Sequence, residues 1–140
     1  MLNRMSLTAM AEAVRAGRLP PRELVDAHIA QIEHSENELN AFIEIYAGEA
    51  REMADRIPRT GLLAGVPVTV KDSFDIAGRV TACGSRLRRD AVAAADSTAV
   101  RRLRAAGAII LGKTACPEFL MNYETASWLK PATRNPANLQ

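Results

Sequence analysis

The residue best placed for chemistry is Lys71, which directly follows the apolar, β-branched run Val66–Val70. Such a run is typical of a buried strand, and ligands of open parallel sheets bind beyond the carboxyl ends of strands. Burial there favours a neutral amine, because it disfavours the charged form, and a neutral amine can act as a general base. The local pattern also fits a solvated lysine that leaves a strand and pairs with Asp72, and taken alone it favours that second interpretation.

A second pattern points to a nucleotide. Residues 107–114 match G-x-x-x-x-G-K-[ST], the phosphate-binding loop. That loop follows a strand and opens a helix, and its flexible residues direct their N–H groups at phosphate. In this sequence a predicted helix precedes the pattern, and the interior residues Ala108–Leu111 are apolar and partly β-branched. We therefore predict a strand without nucleotide binding, and a structural contact for Lys113 beside the end of the sheet.

Other residues carry the functional groups of nucleophiles. Three serines are candidates in principle: Ser85, Ser97 and Ser127. The first lies in a glycine turn and the second at a helix start, where hydroxyls serve the backbone. Lys113, Cys116 and Glu118 are the residue types of a nitrilase-like thiol amidase, but Pro117 interrupts them and the rest of that pattern is missing. We expect none of these to be the nucleophile.

The elements that must position these residues can be predicted from patterns of apolar and turn residues. A strand at Val66–Val70, a helix that begins near Asp96–Thr98 and ends at Gly107, and a strand at Ala108–Leu111 form a strand–helix–strand unit. This order predicts a parallel crossover and hence an α/β fold. The earlier elements are predicted to be helices at Leu7–Arg15, from Pro20 onward and at Ala47–Ile57, and a short strand at Ala41–Tyr46.

Composition excludes several classes of protein. The 140 residues are 48% hydrophobic and 24% charged with a net charge of +2, which is ordinary for a globular domain. Cys83 and Cys116 are too few for a disulfide framework and lack zinc spacing, so we expect reduced thiols, no metal and a cytoplasmic location. No apolar run reaches membrane-span length. The arginines fit a solvated helix face better than a nucleic-acid patch: Arg86, Arg88, Arg89, Arg101, Arg102 and Arg104.

The stretch Gly61–Asp75 resembles the amidase-signature segment G-x-L-x-G-V-P-V-x-V-K-D-x-F-D. Further residues follow in that family's order: Gly78, Thr81, Cys83-Gly84-Ser85, Asp96–Val100, Leu103, Ala106-Gly107-Ala108, Gly112-Lys113-Thr114, Glu118-Phe119 and Asn135-Pro136-x-Asn138. The similarity is dense from Gly61 to Asn138. The sequence departs from the family at Ala115, at Lys130-Pro131-Ala132 and at Ala137.

The resemblance implies that Lys71 is the family's catalytic lysine, which works with two serines. The neutral lysine takes a proton from a serine that follows a cis peptide bond, and this serine relays the proton from the nucleophilic serine. The nucleophile attacks an amide carbonyl while backbone N–H groups stabilise the oxyanion. In the family both serines lie in a Gly/Ser-rich stretch beyond the Asn-Pro-x-Asn segment, and this sequence ends at Gln140. We therefore expect a fragment that has the lysine and lacks both serines.

These inferences define one set of expectations. A helical amino-terminal arm, residues 1–60, leads into a partial amidase-signature sheet packed by helices, residues 61–140. The family's reaction is hydrolysis of a small-molecule carboxylic amide without a cofactor, and the 140 residues alone should be inactive. Met121 and Asn122 should line the substrate pocket near Lys71, whose ammonium should point into a cavity. Homo-oligomers are an open option. The alternative is a non-catalytic truncated protein with at most a binding or assembly role.

Overall fold

A computed structural model describes residues 2–138. Within this range it contains four α-helices: α1 (Leu7–Arg15), α2 (Pro21–Leu39), α3 (Ala47–Arg56) and α4 (Thr98–Ala105). It also contains three strands: β1 (Phe42–Ile45), β2 (Pro67–Lys71) and β3 (Ile109–Thr114). Three short 3-10 turns lie at Leu2–Arg4, Arg86–Arg88 and Glu118–Leu120. Every helix and strand predicted from the sequence is present, with differences of a few residues at the ends.

The helix ends follow from local side-chain chemistry. The Ser6 hydroxyl accepts a hydrogen bond from the Ala9 N–H at the start of α1, and the Ser97 hydroxyl accepts one from Val100 at the start of α4. These bonds satisfy N–H groups that have no partner inside the helix. Gly107, with a φ of 90°, follows α4 in the left-handed conformation that glycine adopts without strain.

β3 lies in the centre of a mixed three-stranded sheet with the order β1-β3-β2. It is parallel to β2, which confirms the predicted parallel crossover through α4, and antiparallel to β1. β3 also extends three residues beyond the predicted Leu111, because Gly112 pairs with Ile45 while Thr114 pairs with Lys71. A Gly-Lys-Thr sequence lacks the β-branched pattern of a strand, so only pairing on both sides could reveal this extension.

Two apolar clusters cover the two faces of the sheet. On one face α2 and α3 pack against β3 through Val25, Ile29, Ala50, Ala54, Ile109 and Leu111. On the other face α4 packs against the sheet through Tyr46, Val70, Ile76, Val100 and Ile110. A third cluster joins α1 to the start of α2 and to the segment before β2. Helices on both faces of a sheet are the α/β arrangement that the sequence predicts.

β1 links the amino-terminal helices to the sheet. Its residues precede position 60, yet they pair with β3 in the same sheet as β2. The division of the chain into an arm and a core at residue 60 stays a prediction. Across residues 2–138, the helices are all too short or too polar to cross a bilayer.

Candidate active site

Lys71 is the last residue of β2 and pairs with Thr114, the last residue of β3. Because β2 and β3 are parallel, their carboxyl ends meet at one edge of the sheet, where α/β proteins bind ligands. The chain turns immediately afterwards, with the Phe74 N–H donating to the Lys71 carbonyl at 3.0 Å. The backbone of Lys71 therefore lies where the strand pattern predicts it.

The Lys71 side chain is exposed, whereas the sequence predicts an ammonium directed into a cavity. Alternation along β2 explains this difference. Val70 is buried against α4, and its neighbours Thr69 and Lys71 face the opposite, open side. The Lys71 ammonium makes no hydrogen bond or ion pair with any residue in 2–138. The second interpretation, a solvated lysine paired with Asp72, agrees with the exposure of Lys71, but its pairing is wrong because the Asp72 carboxylate pairs with another lysine.

That other lysine is Lys113, and its ion pair with Asp72 is buried beside the candidate base. Lys113 Nζ lies 2.7 Å from Asp72 Oδ1, and each side chain is 1% exposed. The ammonium also donates to the Val80 carbonyl at 2.7 Å and to the Thr81 hydroxyl at 2.8 Å. Both carboxylate oxygens of Asp72 are buried and neither makes a hydrogen bond with the residues described, so its contact with Lys113 is an ion pair that rests on the short distance between the charges. Lys113 therefore has a structural contact, as predicted, but inside strand β3 and in the interior of the protein.

Two loops meet next to this ion pair. Gly84 lies so close to the segment that follows β3 that a Cβ atom there would be 2.6 Å from the Cys116 carbonyl oxygen. Ser85 is fully buried and donates to Glu118 Oε1 at 2.7 Å, while its hydroxyl accepts from the Leu87 N–H. The Ser85 hydroxyl thus serves the fold and is not presented to solvent as a nucleophile would be.

The nitrilase-like alternative is also incompatible with the observed contacts. Lys113 is committed to Asp72, and Glu118 is committed to Ser85. Burial raises the pKa of the Cys116 thiol, and the nearby Asp72 carboxylate raises it further. A reactive cysteine needs a stabilised thiolate, whereas this environment favours the neutral thiol. The other two candidate serines also bind the backbone. Ser97 accepts from the Val100 N–H, and Ser127 accepts from the Leu129 and Lys130 N–H groups.

Met121 and Asn122 lie just after the Glu118–Leu120 turn. They line a shallow depression of about 490 Å³ together with Phe119 and its neighbours, and Lys71 is not among its lining residues. Met121 is 86% exposed. Their assignment to a substrate pocket stays a prediction. Within residues 2–138 no group of three or more His, Cys, Asp or Glu side chains is arranged to hold a metal ion.

At this edge of the sheet the Lys71 amine is accessible to solvent, whereas the Lys113 amine is fixed by its contacts. Lys71 is accessible and makes no contact with its charged neighbours among residues 2–138, while Lys113 makes two hydrogen bonds and an ion pair. Sequence reasoning identified Lys71 but missed the Asp72–Lys113 pair. The available signal was a lysine within a run that is otherwise buried, because such a charge needs a partner.

The phosphate-binding pattern of residues 107–114 does not form a phosphate-binding loop. Six of its eight residues, Ile109–Thr114, form strand β3, and the residues from Gly107 to Lys113 are buried. The N–H groups of Gly107 and Ala108 donate to carbonyls of α4, and from Ile109 onward the backbone pairs within the sheet. Its lysine is paired with Asp72. The predicted strand is confirmed.

Comparison with known proteins gives consistent similarities. A family model described as "Amidase" matches residues 23–140. The chain is similar to a glutamyl-tRNA(Gln) amidotransferase subunit from Synechococcus sp. (strain CC9605), with 38% identity over 96% of this chain and 29% of the relative. The chain thus spans about 30% of the length of the curated relatives it matches.

Solved structures agree with these similarities. A 6-aminohexanoate cyclic dimer hydrolase matches with a TM-score of 0.87 and 35% identity, over 96% of this chain and 28% of that one. A bacterial aryl acylamidase of the amidase-signature enzymes matches with a TM-score of 0.85 and 33% identity, over 96% of this chain and 30% of that one.

Proposed function

The chain belongs to the amidase family, and from this premise we propose that Lys71 is the catalytic lysine of a hydrolase acting on carboxylic amide C–N bonds. The single observation that supports the proposal most is the position of Lys71, at the common carboxyl edge of two parallel strands with its amine unpaired. In this proposal residues 1–60 form a helical arm and residues 61–140 form the amino-terminal part of the catalytic core.

The proposed mechanism uses Lys71 as a general base. Its neutral amine accepts a proton from the serine that follows a cis peptide bond, and this serine accepts the proton of the nucleophilic serine as the nucleophile attacks the amide carbonyl. The amine later returns the proton to the leaving nitrogen by the same route. Both serines lie in a part of the family's sequence that these 140 residues do not span. The 140 residues alone are therefore proposed to be inactive toward amides.

Substrate class follows only coarsely from the relatives. One similar protein acts on a cyclic dimer of 6-aminohexanoate, another is an aryl acylamidase, and a third belongs to an amidotransferase. Their shared chemistry is attack on a carboxylic amide. We propose a small-molecule amide as the substrate of the complete enzyme, with Met121 and Asn122 on the rim of its pocket.

A chimeric enzyme tests the role of Lys71. The matching 30% of the bacterial aryl acylamidase is replaced by these 140 residues, and hydrolysis of an aryl amide is followed. We expect an active chimera in which Lys71→Met lowers kcat by about 10²–10⁴, the range of general acid–base catalysis. Arg102→Ala removes one positive charge from the exposed face of α4 and serves as the matched control.

Two results would contradict the proposal. One is a Lys71→Met chimera that keeps the kcat of the Arg102→Ala control. The other is hydrolysis of the aryl amide by the purified 140-residue chain itself, because that activity would require a nucleophile within these 140 residues.

A second candidate function is supported by a different observation. Large apolar side chains are exposed near the carboxyl end of the described range, including Met121, Tyr123 and Trp128. Exposed apolar surface of this kind is typical of an interface. The alternative proposal is a non-catalytic protein with a binding or assembly role, and it predicts a chimera that folds but shows no Lys71-dependent turnover.

A further inference from the structure

The buried ammonium of Lys113 makes more polar contacts than the packing of a strand side chain requires. It is the only one of the three lysines, Lys71, Lys113 and Lys130, whose side chain is buried within residues 2–138. Its ammonium has three N–H donors and three close acceptors: Asp72 Oδ1, the Val80 carbonyl and the Thr81 hydroxyl. These three contacts connect strand β3 with the end of β2 and with the loop that follows it.

Stability alone does not account for a buried ion pair. Desolvation of two charges offsets most of their attraction, so an apolar pair of similar volume would stabilise the fold equally well. In some proteins a buried pair is retained because it specifies one geometry, since breaking it leaves an uncompensated buried charge. The geometry that this pair fixes is the turn immediately after Lys71.

Three connections converge on Asp72, the neighbour of the candidate base. Its N–H donates to the Thr114 carbonyl at 2.9 Å, and its carbonyl accepts from the Cys83 N–H at 3.1 Å. Its carboxylate is held by Lys113. The peptide groups on both sides of Asp72 are thus held by backbone hydrogen bonds, and its side chain is held by the ion pair. The Lys71 amine has no partner of its own in the described chain, so its position depends on this peptide.

We propose that Lys113 is a positioning residue, which fixes the backbone of Lys71 through the buried Asp72 carboxylate and the 80–81 loop so that the Lys71 amine meets its reaction partner in one orientation. The inference rests on the proposed function of Lys71. It assigns to the Gly-Lys-Thr segment a role distinct from the phosphate binding that its sequence pattern suggests.

Hydrogen exchange of individual amides in the 140-residue chain tests the fixing of this peptide. We expect Lys113→Met to accelerate exchange of the Asp72 and Cys83 amides at least tenfold more than that of the Ile109 amide. Ile109 donates to Val66 at the opposite end of the same strand pair, so it reports global opening. Equal acceleration of all three amides, or no acceleration, would overturn the proposal.

Two further variants keep this test decisive. If Lys113→Met does not fold, Thr81→Val removes one acceptor with little change of shape, and the Asp72 and Cys83 amides should still accelerate at least threefold relative to Ile109. Arg56→Met is the control, because it also removes one cation and Arg56 is exposed at the end of α3, where it contacts Glu52. A control variant that produced the same local acceleration would also overturn the proposal.

A kinetic measurement separates positioning from folding. In the chimeric amidase, Lys113→Met should lower kcat at least tenfold while KM changes less than twofold, because the base is misplaced and the substrate pocket is kept. An unchanged kcat would overturn the inference. The exchange result requires no catalysis, so a failure of the proposed function, seen as full activity of Lys71→Met, is distinguishable from a failure of this inference.

Discussion

Two lysines at one edge of the sheet differ in chemistry because the fold gives them different surroundings. Lys71 and Lys113 lie near the ends of paired strands, yet Lys71 is exposed and unpaired among residues 2–138 while Lys113 is 1% exposed and paired with Asp72. Cys116 shares this surrounding, and burial together with the Asp72 charge raises the pKa of its thiol. At this site the Lys71 amine is therefore accessible to solvent, and the Cys116 thiol is buried.

The reactivity of Cys116 gives a prediction at this scale. At pH 8 iodoacetamide should alkylate Cys116 at least tenfold more slowly than Cys83, because Cys116 is 2% exposed and its raised pKa keeps the thiol protonated. Cys83 is only partly buried. Peptide mass spectrometry over time measures both rates. In urea the two rates should converge, and equal rates in the folded chain would contradict the description of a buried, neutral thiol.

At the scale of elements, the sheet and the candidate site both depend on the central strand β3. It pairs with β1 on one side and β2 on the other, and it carries both Lys113 and the residue opposite Lys71. Gly112 permits this double pairing, since a Cβ atom there would collide with the Glu44 carbonyl oxygen and approach the Ile45 Cα at 3.1 Å. The absence of a side chain lets β1 approach the sheet.

A pair of glycine substitutions tests this role. Gly112→Ala should lower the free energy of unfolding by about 1–3 kcal/mol, the usual cost of overpacking, because the collision is with backbone that cannot rotate away. Gly48→Ala is the matched control. It lies in α3 with open space around it, and it should raise stability by about 0.4–1 kcal/mol.

Urea unfolding of both glycine variants measures the difference. Gly112→Ala with wild-type stability would show that β1 can move away from β3 without cost. A stable Gly112→Ala that lost only the β1 hydrogen bonds would show that the edge strand is dispensable for folding.

At the scale of the whole molecule, the sheet has three strands and the chain spans about 30% of its relatives. β2 has one neighbour, β3, within residues 2–138, so its other edge is open. Several apolar side chains that follow the Glu118–Leu120 turn in sequence are exposed. Tyr123 is fully exposed, and Trp128 is 69% exposed. Open strand edges and exposed apolar side chains both favour association with other chains.

The association of the isolated chain is therefore predicted. Purified alone, the 140 residues should oligomerise or bind a hydrophobic dye, as measured by light scattering and dye fluorescence. The triple substitution of Met121, Tyr123 and Trp128 by serine should reduce both signals, because it removes the exposed apolar side chains and leaves the sheet intact. A matched triple substitution of Arg101, Arg102 and Arg104 by serine controls for the number of changes.

One outcome would contradict that prediction directly. A monomer that melts cooperatively without dye binding would show that the three-stranded sheet and its helices suffice for an independent fold.

The sequence determined the order and type of the elements, because apolar periodicity, helix caps and left-handed glycines act within a few residues. Ser6, Ser97 and Gly107 mark helix ends by local chemistry. The apolar, β-branched run Val66–Val70 likewise placed Lys71 at the end of a strand, and the parallel crossover followed from the strand–helix–strand order. These features need no knowledge of distant partners.

Only the tertiary structure decided which charges meet. Asp72 and Lys113 are far apart in sequence and come together because β2 and β3 are parallel in one register. The same pairing extends β3 through Gly112, which no strand propensity indicates, and it leaves Lys71 on the open face of β2. Long-range pairing sets these contacts, since a charge becomes buried or exposed only when neighbouring strands, helices and loops have taken their places around it.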